Sequence, residues 1–180
     1  KTVLDGKKLI SDYAGHFGLV GIDIILAKSV FEKGVHQTLP NIKDATISVV
    51  PDRLIPKIST VEQSQGVVAI IPIPPMETCS NFDEYQLILG VDGVQDPGNI
   101  GAILRICAAF DVDLVVLSKE CSEIWSPKSL RAGMGAQFHQ KCISVDINLV
   151  LKNFNGRKLG LSSKRGESIT KVQLESPLML

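Results

Sequence analysis

One short segment of the chain combines an amide side chain and a cation in a way that could perform chemistry. Asn99 and Arg105 stand here, with Gly98 and Gly101 beside them. Glycine lets a backbone approach a partner closely, asparagine offers two donors and an acceptor, and arginine carries a permanent positive charge. The segment therefore predicts either a site for a phosphate-like ligand or a tightly packed helix start.

The elements around these residues can be placed from the sequence. Leu87–Val91 is an apolar run of strand length. After a polar turn, Asp96 is suited to cap a helix and Pro97 to occupy its first position, and the helix would extend to about Phe110. Arg105 is the only charged residue in this otherwise apolar helix, so we expect it to be buried or half-buried.

Two nucleotide-binding patterns are excluded at this turn. The spacing of Gly93, Gly98 and Gly101 fits neither the dinucleotide fingerprint nor the phosphate loop of nucleoside triphosphatases. For Arg105, the alternative to a ligand is a buried ion pair with a nearby aspartate, and the candidates are Asp92, Asp96 and Asp113.

A second cluster lies between residues 128 and 136. Lys128 and Arg131 are three residues apart on a predicted helix, so both could grip one phosphate, although a solvated basic face is equally consistent with the spacing. Gly133 and Gly135 would give a smooth surface for the close approach of a helix or a second subunit.

The formal charge of the 180 residues is zero, but its distribution is uneven. Residues 128–171 contain nine basic side chains against two acidic ones, and Lys164 and Arg165 belong to a basic loop in this region. Such an excess predicts contact with a phosphate-bearing ligand, unless the cations are simply scattered over a solvated surface.

Metal and membrane functions are not indicated. His16, His36 and His139 are isolated, and the four cysteines lack the spacing of metal ligands. No apolar run approaches the roughly 18 residues of a membrane span. We therefore expect no metal, no membrane contact, and core thiols in a reducing intracellular compartment, either the cytoplasm or an organelle such as the mitochondrion.

Helical and strand patterns alternate along the chain, which predicts an α/β fold. The first helix is predicted to run from Leu4 to Phe17, followed by β-rich segments. A proline-rich stretch then marks a boundary, so we divide the chain into a unit at 1–75, a linker at 76–85 and a second unit with a parallel sheet at 86–180.

The segment Asp92-Gly-Val-Gln-Asp-Pro-Gly-Asn-Ile-Gly-Ala-Ile-Leu-Arg105 closely resembles the first motif of the SpoU/TrmH RNA ribose methyltransferases of the SPOUT superfamily. Lys128-Ser-Leu-Arg-Ala-Gly-Met-Gly-Ala136 is similar to the segment that follows in that family, with Gly133 where serine or alanine is more usual. The residues before the linker resemble the ribosomal-protein-like substrate-binding domain that these enzymes often carry. The resemblance covers essentially the whole chain.

The resemblance implies methyl transfer from S-adenosylmethionine to a ribose 2'-hydroxyl of RNA, more commonly ribosomal than transfer RNA, by a homodimer. Arg105 matches the arginine that activates the hydroxyl, and Asn99 the asparagine beside it. It also implies a small substrate-binding α/β domain followed by a SPOUT (α/β knot) parallel-sheet domain. A guanidinium is a poor base, so Arg105 would stabilise developing charge or act through a phosphate.

Two later motifs of the family, one glycine-rich and one containing Ser-Leu-Asn, build the knot that holds the cofactor, and neither occurs in these residues. We therefore expect an incomplete SPOUT domain, truncated before the cofactor site, with no cofactor-binding residue in this chain. A non-catalytic RNA-binding or ribosome-assembly protein derived from the family is the alternative.

Overall fold

A computed structural model describes residues 1–162 and 166–180. In these residues nine strands form two sheets, and helices pack against both. The strands are β1 Thr2–Asp5, β2 Asp23–Ala27, β3 Thr46–Val50, β4 Val67–Ile71, β5 Leu87–Val91, β6 Leu114–Leu117, β7 Cys142–Ser144, β8 Arg157–Lys158 and β9 Leu178–Met179. The α-helices are α1 Lys7–Phe17, α2 Lys28–Glu32, α3 Ile55–Ile58, α4 Pro97–Ala109, α5 Pro127–Gly133 and α6 Ile147–Asn153.

The first sheet has the strand order β1-β4-β2-β3 and is mixed, since only β2 and β3 run parallel. The first helix begins later than predicted. Leu4 lies in β1, opposite Ala69 of β4, and α1 starts at Lys7. The prediction was wrong because a four-residue strand shows too little alternation to be recognised, and its partner lies far along the chain. The face of α1 that packs on the sheet buries Ile10 and Tyr13.

The second sheet has the order β7-β6-β5-β9-β8, and each of its strand pairs is parallel, as the sequence predicted for this unit. All four residues of β6, Leu114–Leu117, are buried, which is expected of a parallel strand covered on both faces. The loop after β5 leads directly into α4. The carboxyl end of a central strand therefore presents the segment with Asn99 and Arg105.

The two sheets share one hydrophobic core cluster. Leu4 and Ile71 from the first sheet belong to the same cluster as Val91, Leu104 and Leu117 from the second unit. A second cluster lies on the other face of the second sheet. The shared cluster fixes the position of the first sheet relative to α4 and α5, because separating them would expose buried apolar surface.

The segment between β4 and β5 contains no helix or strand, in agreement with the prolines that suggested a linker there. All four cysteines are free thiols. Within the described residues, no helix is both long enough and apolar enough to cross a membrane.

Candidate active site

The start of α4 has the geometry that the sequence predicted. Asp96 is the N-cap residue, and its Oδ1 accepts a hydrogen bond of 3.0 Å from the backbone N–H of Asn99. Pro97 is the first helical residue, where its missing N–H has no intrahelical partner to lose. The cap fixes the direction in which α4 leaves the sheet, and with it the positions of Asn99 and Arg105.

The other oxygen of Asp96 holds α5 against α4. Its Oδ2 accepts a 2.6 Å hydrogen bond from Nζ of Lys128, and both side chains are about half exposed. The Lys128 hydrogen bond, with the backbone N–H of Asn99, holds the pKa of Asp96 below its ordinary value. One carboxylate thus caps α4 and anchors the cation at the start of α5.

The glycines serve the close contact between α4 and α5. A Cβ on Gly101 would lie 2.3 Å from the carbonyl oxygen of Ser129 and 2.7 Å from the backbone nitrogen of Gly133. A Cβ on Gly98 would lie 2.8 Å from Oδ1 of Asp96. Gly98 and Gly101 thus form the tightly packed helix start that was one of the two interpretations of the sequence. The space beside these glycines is filled by the protein itself.

The rest of the second glycine cluster also packs internally. A Cβ on Gly133 would lie 2.5 Å from Oε1 of the buried Gln137, and Gly135 adopts a positive φ of 82° beside Phe138. Gln137 donates to the carbonyl of Ile124 and to the hydroxyl of Ser129. The sequence predicted a close helix or subunit approach here, and the structure places a helix and a 3-10 turn of the same chain in contact.

Arg105 is not buried, contrary to the prediction. Its side chain is exposed, and among the described residues it forms no ion pair and no hydrogen bond, so none of the three proposed aspartate pairs exists there. Asn99, Ala102 and Arg105 follow one another at three-residue spacing along the exposed side of α4.

Apolar residues surround Arg105 on this exposed side. Ile106 is 59% exposed and Phe110 is 76% exposed, and Ala102 and Ala109 are exposed beside them. We call Ala102, Ile106, Ala109 and Phe110 the α4 stripe. The stripe has the i, i+4, i+7 and i+8 spacing that is typical of a buried helix face, but it faces outward here.

Arg131 makes a contact that the sequence did not indicate. Its Nη1 donates a 2.9 Å hydrogen bond to Oγ1 of Thr60, in the loop that precedes β4. Asp5 holds this loop in turn, since its carboxylate accepts hydrogen bonds from the Thr60 N–H and from the hydroxyls of Ser59 and Ser64. Arg131 therefore links α5 to the first unit. No pattern in the sequence of either segment indicates this contact, because Arg131 and Thr60 are 71 positions apart.

The structure describes two of the four predicted RNA-binding residues, Lys128 and Arg131. Lys128 and Arg131 lie on α5 as predicted, but their charged groups contact different partners, Asp96 and Thr60. Lys164 and Arg165 lie outside the described residues. The grip of both α5 cations on one phosphate remains a prediction that would require these contacts to rearrange.

Solved structures of other proteins have the same fold as this chain. Two solved structures superpose on 98% of the chain. One is an RNA 2'-O ribose methyltransferase, with a TM-score of 0.73, 20% identity and 69% of that chain covered. The other is the AdoMet-bound rRNA methyltransferase of Sinorhizobium meliloti, with a TM-score of 0.71, 18% identity and 68% covered. At these identities the likeness establishes the fold alone, the α/β fold that these two proteins share with this chain.

Sequence similarity identifies the family. The SpoU rRNA Methylase family matches residues 86–180. Mitochondrial rRNA methyltransferase 3 of Mus musculus is 34% identical over 143 residues, which cover 77% of this chain and 34% of the relative. The human protein of that name is 32% identical over 150 residues, covering 80% and 35%. The chain belongs to the SpoU rRNA methylase family, and it spans about a third of the length of these curated relatives.

Proposed function

We propose that this chain is part of an RNA ribose 2'-O-methyltransferase that acts on ribosomal RNA. The observation that carries the proposal is the guanidinium of Arg105, which has no partner among the described residues and lies on the exposed side of α4. Asn99 lies six residues earlier on the same helix, and both residues fall within the part of the chain that matches the family. Relatives named rRNA methyltransferases support ribosomal over transfer RNA. The mitochondrial names of these relatives support an organelle as the site of action.

Arg105 and Asn99 act on the ribose in this proposal. The guanidinium stays charged at every physiological pH, so it does not remove the proton of the 2'-hydroxyl. It stabilises the negative charge that develops on the oxygen, either directly or through an RNA phosphate, and the proton leaves to that phosphate or to water. The Asn99 amide can donate to the oxygen or accept its proton in a hydrogen bond, which orients the attacking lone pair.

S-adenosylmethionine is the methyl donor proposed for the family activity, and when bound it supplies an electrophilic methyl group. The glycines of the α4 turn do not fit it, because the positions that their Cβ atoms would occupy lie against Ser129, Gly133 and Asp96. We expect residues 1–180 by themselves not to bind the cofactor. Tight binding in a calorimetric titration would contradict this.

The proposal assigns RNA recruitment to residues 1–75 and to Lys128, Arg131, Lys164 and Arg165 of the second unit. If Lys128 and Arg131 contact phosphates, replacing both with glutamine should weaken RNA binding and reduce the slope of log affinity against log salt by roughly 2. Lys152→Gln with Lys158→Gln is a control for the loss of two exposed cations outside the predicted RNA-binding set. An unchanged salt slope in the α5 double variant would remove this patch from the proposal.

A second copy of the chain is proposed to cover the α4 stripe. An exposed apolar surface of this kind marks an interaction site, and the family resemblance implies active sites shared between two subunits. A copy packed there would place its own residues beside Arg105. Phe110→Glu should shift the chain toward monomer in sedimentation, whereas Phe31→Glu, on the distant helix α2, should not. A monomeric wild-type chain at micromolar concentration would contradict the dimer.

The activity is tested with the full gene product. Arg105→Lys and Asn99→Ala should each lower methyl transfer to ribosomal RNA on the order of 100-fold, the loss expected for one group that stabilises developing charge. Lys152→Gln, an exposed substitution on α6, should leave the rate unchanged. A map of ribose methylation in ribosomal RNA, with and without the gene, identifies the target. A full-length Arg105→Lys enzyme with the wild-type rate would refute the assignment.

A further inference from the structure

A cleft of about 290 Å³ lies where the two units and their connecting segment meet. The end of α1 forms one wall, and residues 124–125 and 137–142 form the opposite wall. The segment 74–77 closes one side. It is separate from the exposed side of α4 that carries Arg105, because neither Arg105 nor any residue of the α4 stripe lines it.

Aromatic rings are concentrated at this cleft. The chain has only nine phenylalanine, tyrosine and tryptophan residues and three histidines. Phe17, Trp125 and Phe138 line the cleft together with His16 and His139. The centroids of the two imidazole rings are 4.9 Å apart, and those of Phe17 and Phe138 are 6.1 Å apart. One connected group of rings therefore spans both units.

The requirements of the core do not account for this group. Trp125 and Phe138 are buried, as core residues are, but Phe17 is 45% exposed and both histidines are exposed. Exposed rings in contact with one another, above buried rings, form a surface on which a flat aromatic molecule can stack. In addition, Trp125 is only 6% exposed, and its indole N–H has no acceptor among the described residues.

The charges at the cleft favour an uncharged occupant. Nζ of Lys141 lies 3.5 Å from a carboxylate oxygen of Glu77, so the two charges that line the cleft offset each other. A phosphate would have to approach Glu77, whereas a nucleobase carries no net charge. A base also offers carbonyl acceptors that a tryptophan N–H could use.

We propose that this cleft binds an unpaired nucleobase of the RNA, stacked on Phe17 and His139. The inference rests on the proposed function, which supplies RNA as the ligand, and adds a site for a base outside the reacting ribose. Recognition of single-stranded RNA by aromatic side chains depends on bases that are not stacked in a duplex. The site would thus select RNA with an unpaired residue next to the target.

The test uses the chain and labelled RNA of two kinds. The probes are single-stranded oligoadenylate and oligouridylate, and a blunt hairpin with a minimal loop as the paired control. Affinity is measured by fluorescence anisotropy, and emission from Trp125, the single tryptophan, reports on the cleft. Single strands should bind more tightly than the hairpin and quench or shift the tryptophan emission.

Matched variants separate the cleft from the rest of the surface. Phe17→Leu and His139→Ala should each weaken binding of single strands by about fivefold or more, the loss typical of one stacked base. The controls are Leu149→Ala and Leu151→Ala, which shorten two exposed apolar side chains on α6, outside the cleft. These should bind like wild type, and circular dichroism checks the fold of all four.

The outcomes are distinguishable. Single strands that bind with equal affinity to all four variants and leave the tryptophan emission unchanged would overturn the cleft while the proposed RNA function stands. The same holds if the hairpin binds as tightly as the single strands. Absence of binding to every RNA would overturn the inference together with the RNA-binding part of the proposed function. The wild-type emission titration needs no substitution, so it stands even if a variant fails to fold.

Discussion

Replacing Gly101 with alanine should destabilise the protein, although alanine is the better helix former. The new Cβ would lie 2.3 Å from the carbonyl oxygen of Ser129 and 2.7 Å from the nitrogen of Gly133, whereas ordinary contact begins near 3.4 Å. Both obstacles are backbone atoms of α5, so no side chain can rotate away. The helices α4 and α5 would have to separate by about 1 Å.

The magnitude follows from two opposing effects. Alanine in place of glycine within a helix stabilises by about 0.5–1 kcal/mol. Overpacking a well-packed contact costs roughly 1–3 kcal/mol, and a clash with two backbone atoms belongs at the upper end. The net loss at Gly101 should be about 2 kcal/mol, which corresponds to a fall in Tm of roughly 4–8 °C for a chain of this size.

Urea and thermal unfolding followed by circular dichroism measure this difference. Gly15→Ala is the matched control, since it also lies inside a helix but a Cβ there would meet nothing within 4 Å. The control should be stabilised by about 0.5–1 kcal/mol, so the two substitutions should have opposite signs. A Gly101→Ala chain as stable as the Gly15→Ala chain would refute the close packing of α4 on α5.

Three further predictions concern single contacts. Thr60→Val removes the acceptor of a half-buried guanidinium and should cost about 1.5–3 kcal/mol in urea unfolding, whereas Thr38→Val, at an exposed hydroxyl, should cost under about 0.5 kcal/mol. Asp96→Asn keeps a capping side chain but loses the ion pair, so wild type should be the more stable at neutral pH. Because the folded pKa of Asp96 lies below its ordinary value, that advantage should disappear as the pH falls through about 4 and below, and a gap independent of pH would contradict it. Burial raises the pKa of Cys107 to about 11 and that of Cys142 to about 12. Both thiols should therefore resist iodoacetamide until the chain unfolds, and rapid labelling of the folded chain in mass spectrometry would contradict their burial. The unfolded state releases these protons at a lower pH than the folded state does, so the free energy of unfolding should fall as the pH rises above about 9.

The start of α4 could be predicted because its determinants are local. Asp96 and Pro97 each have a physical reason to stand at a helix N-terminus, and neither depends on the rest of the fold. The parallel arrangement of the second sheet was also predictable, since an apolar strand such as β6 must be covered on both faces. The comparisons confirm the family that the residues from 92 to 105 indicated.

The features that could not be predicted depend on distant partners. Arg105 was expected to be buried because its helix is apolar on nearly all sides, yet the sequence does not say which side faces the core. Packing against β6 and α5 decides this, and it leaves the α4 stripe outside. The hydrogen bond between Arg131 and Thr60 joins residues 71 positions apart, and no pattern within either segment indicates the other.

The hydrophobic core shared by the two sheets bears on which ribose of a bound RNA would be methylated. For an enzyme of the proposed kind, RNA bound by the first unit is held at a constant distance from Arg105, since the cluster that includes Leu4 and Val91 does not permit the units to swing apart. The methylated ribose is then selected by the number of nucleotides that separate it from the RNA residue bound by the first unit. Inserting one nucleotide between that RNA residue and the target should move the methylated position by one residue.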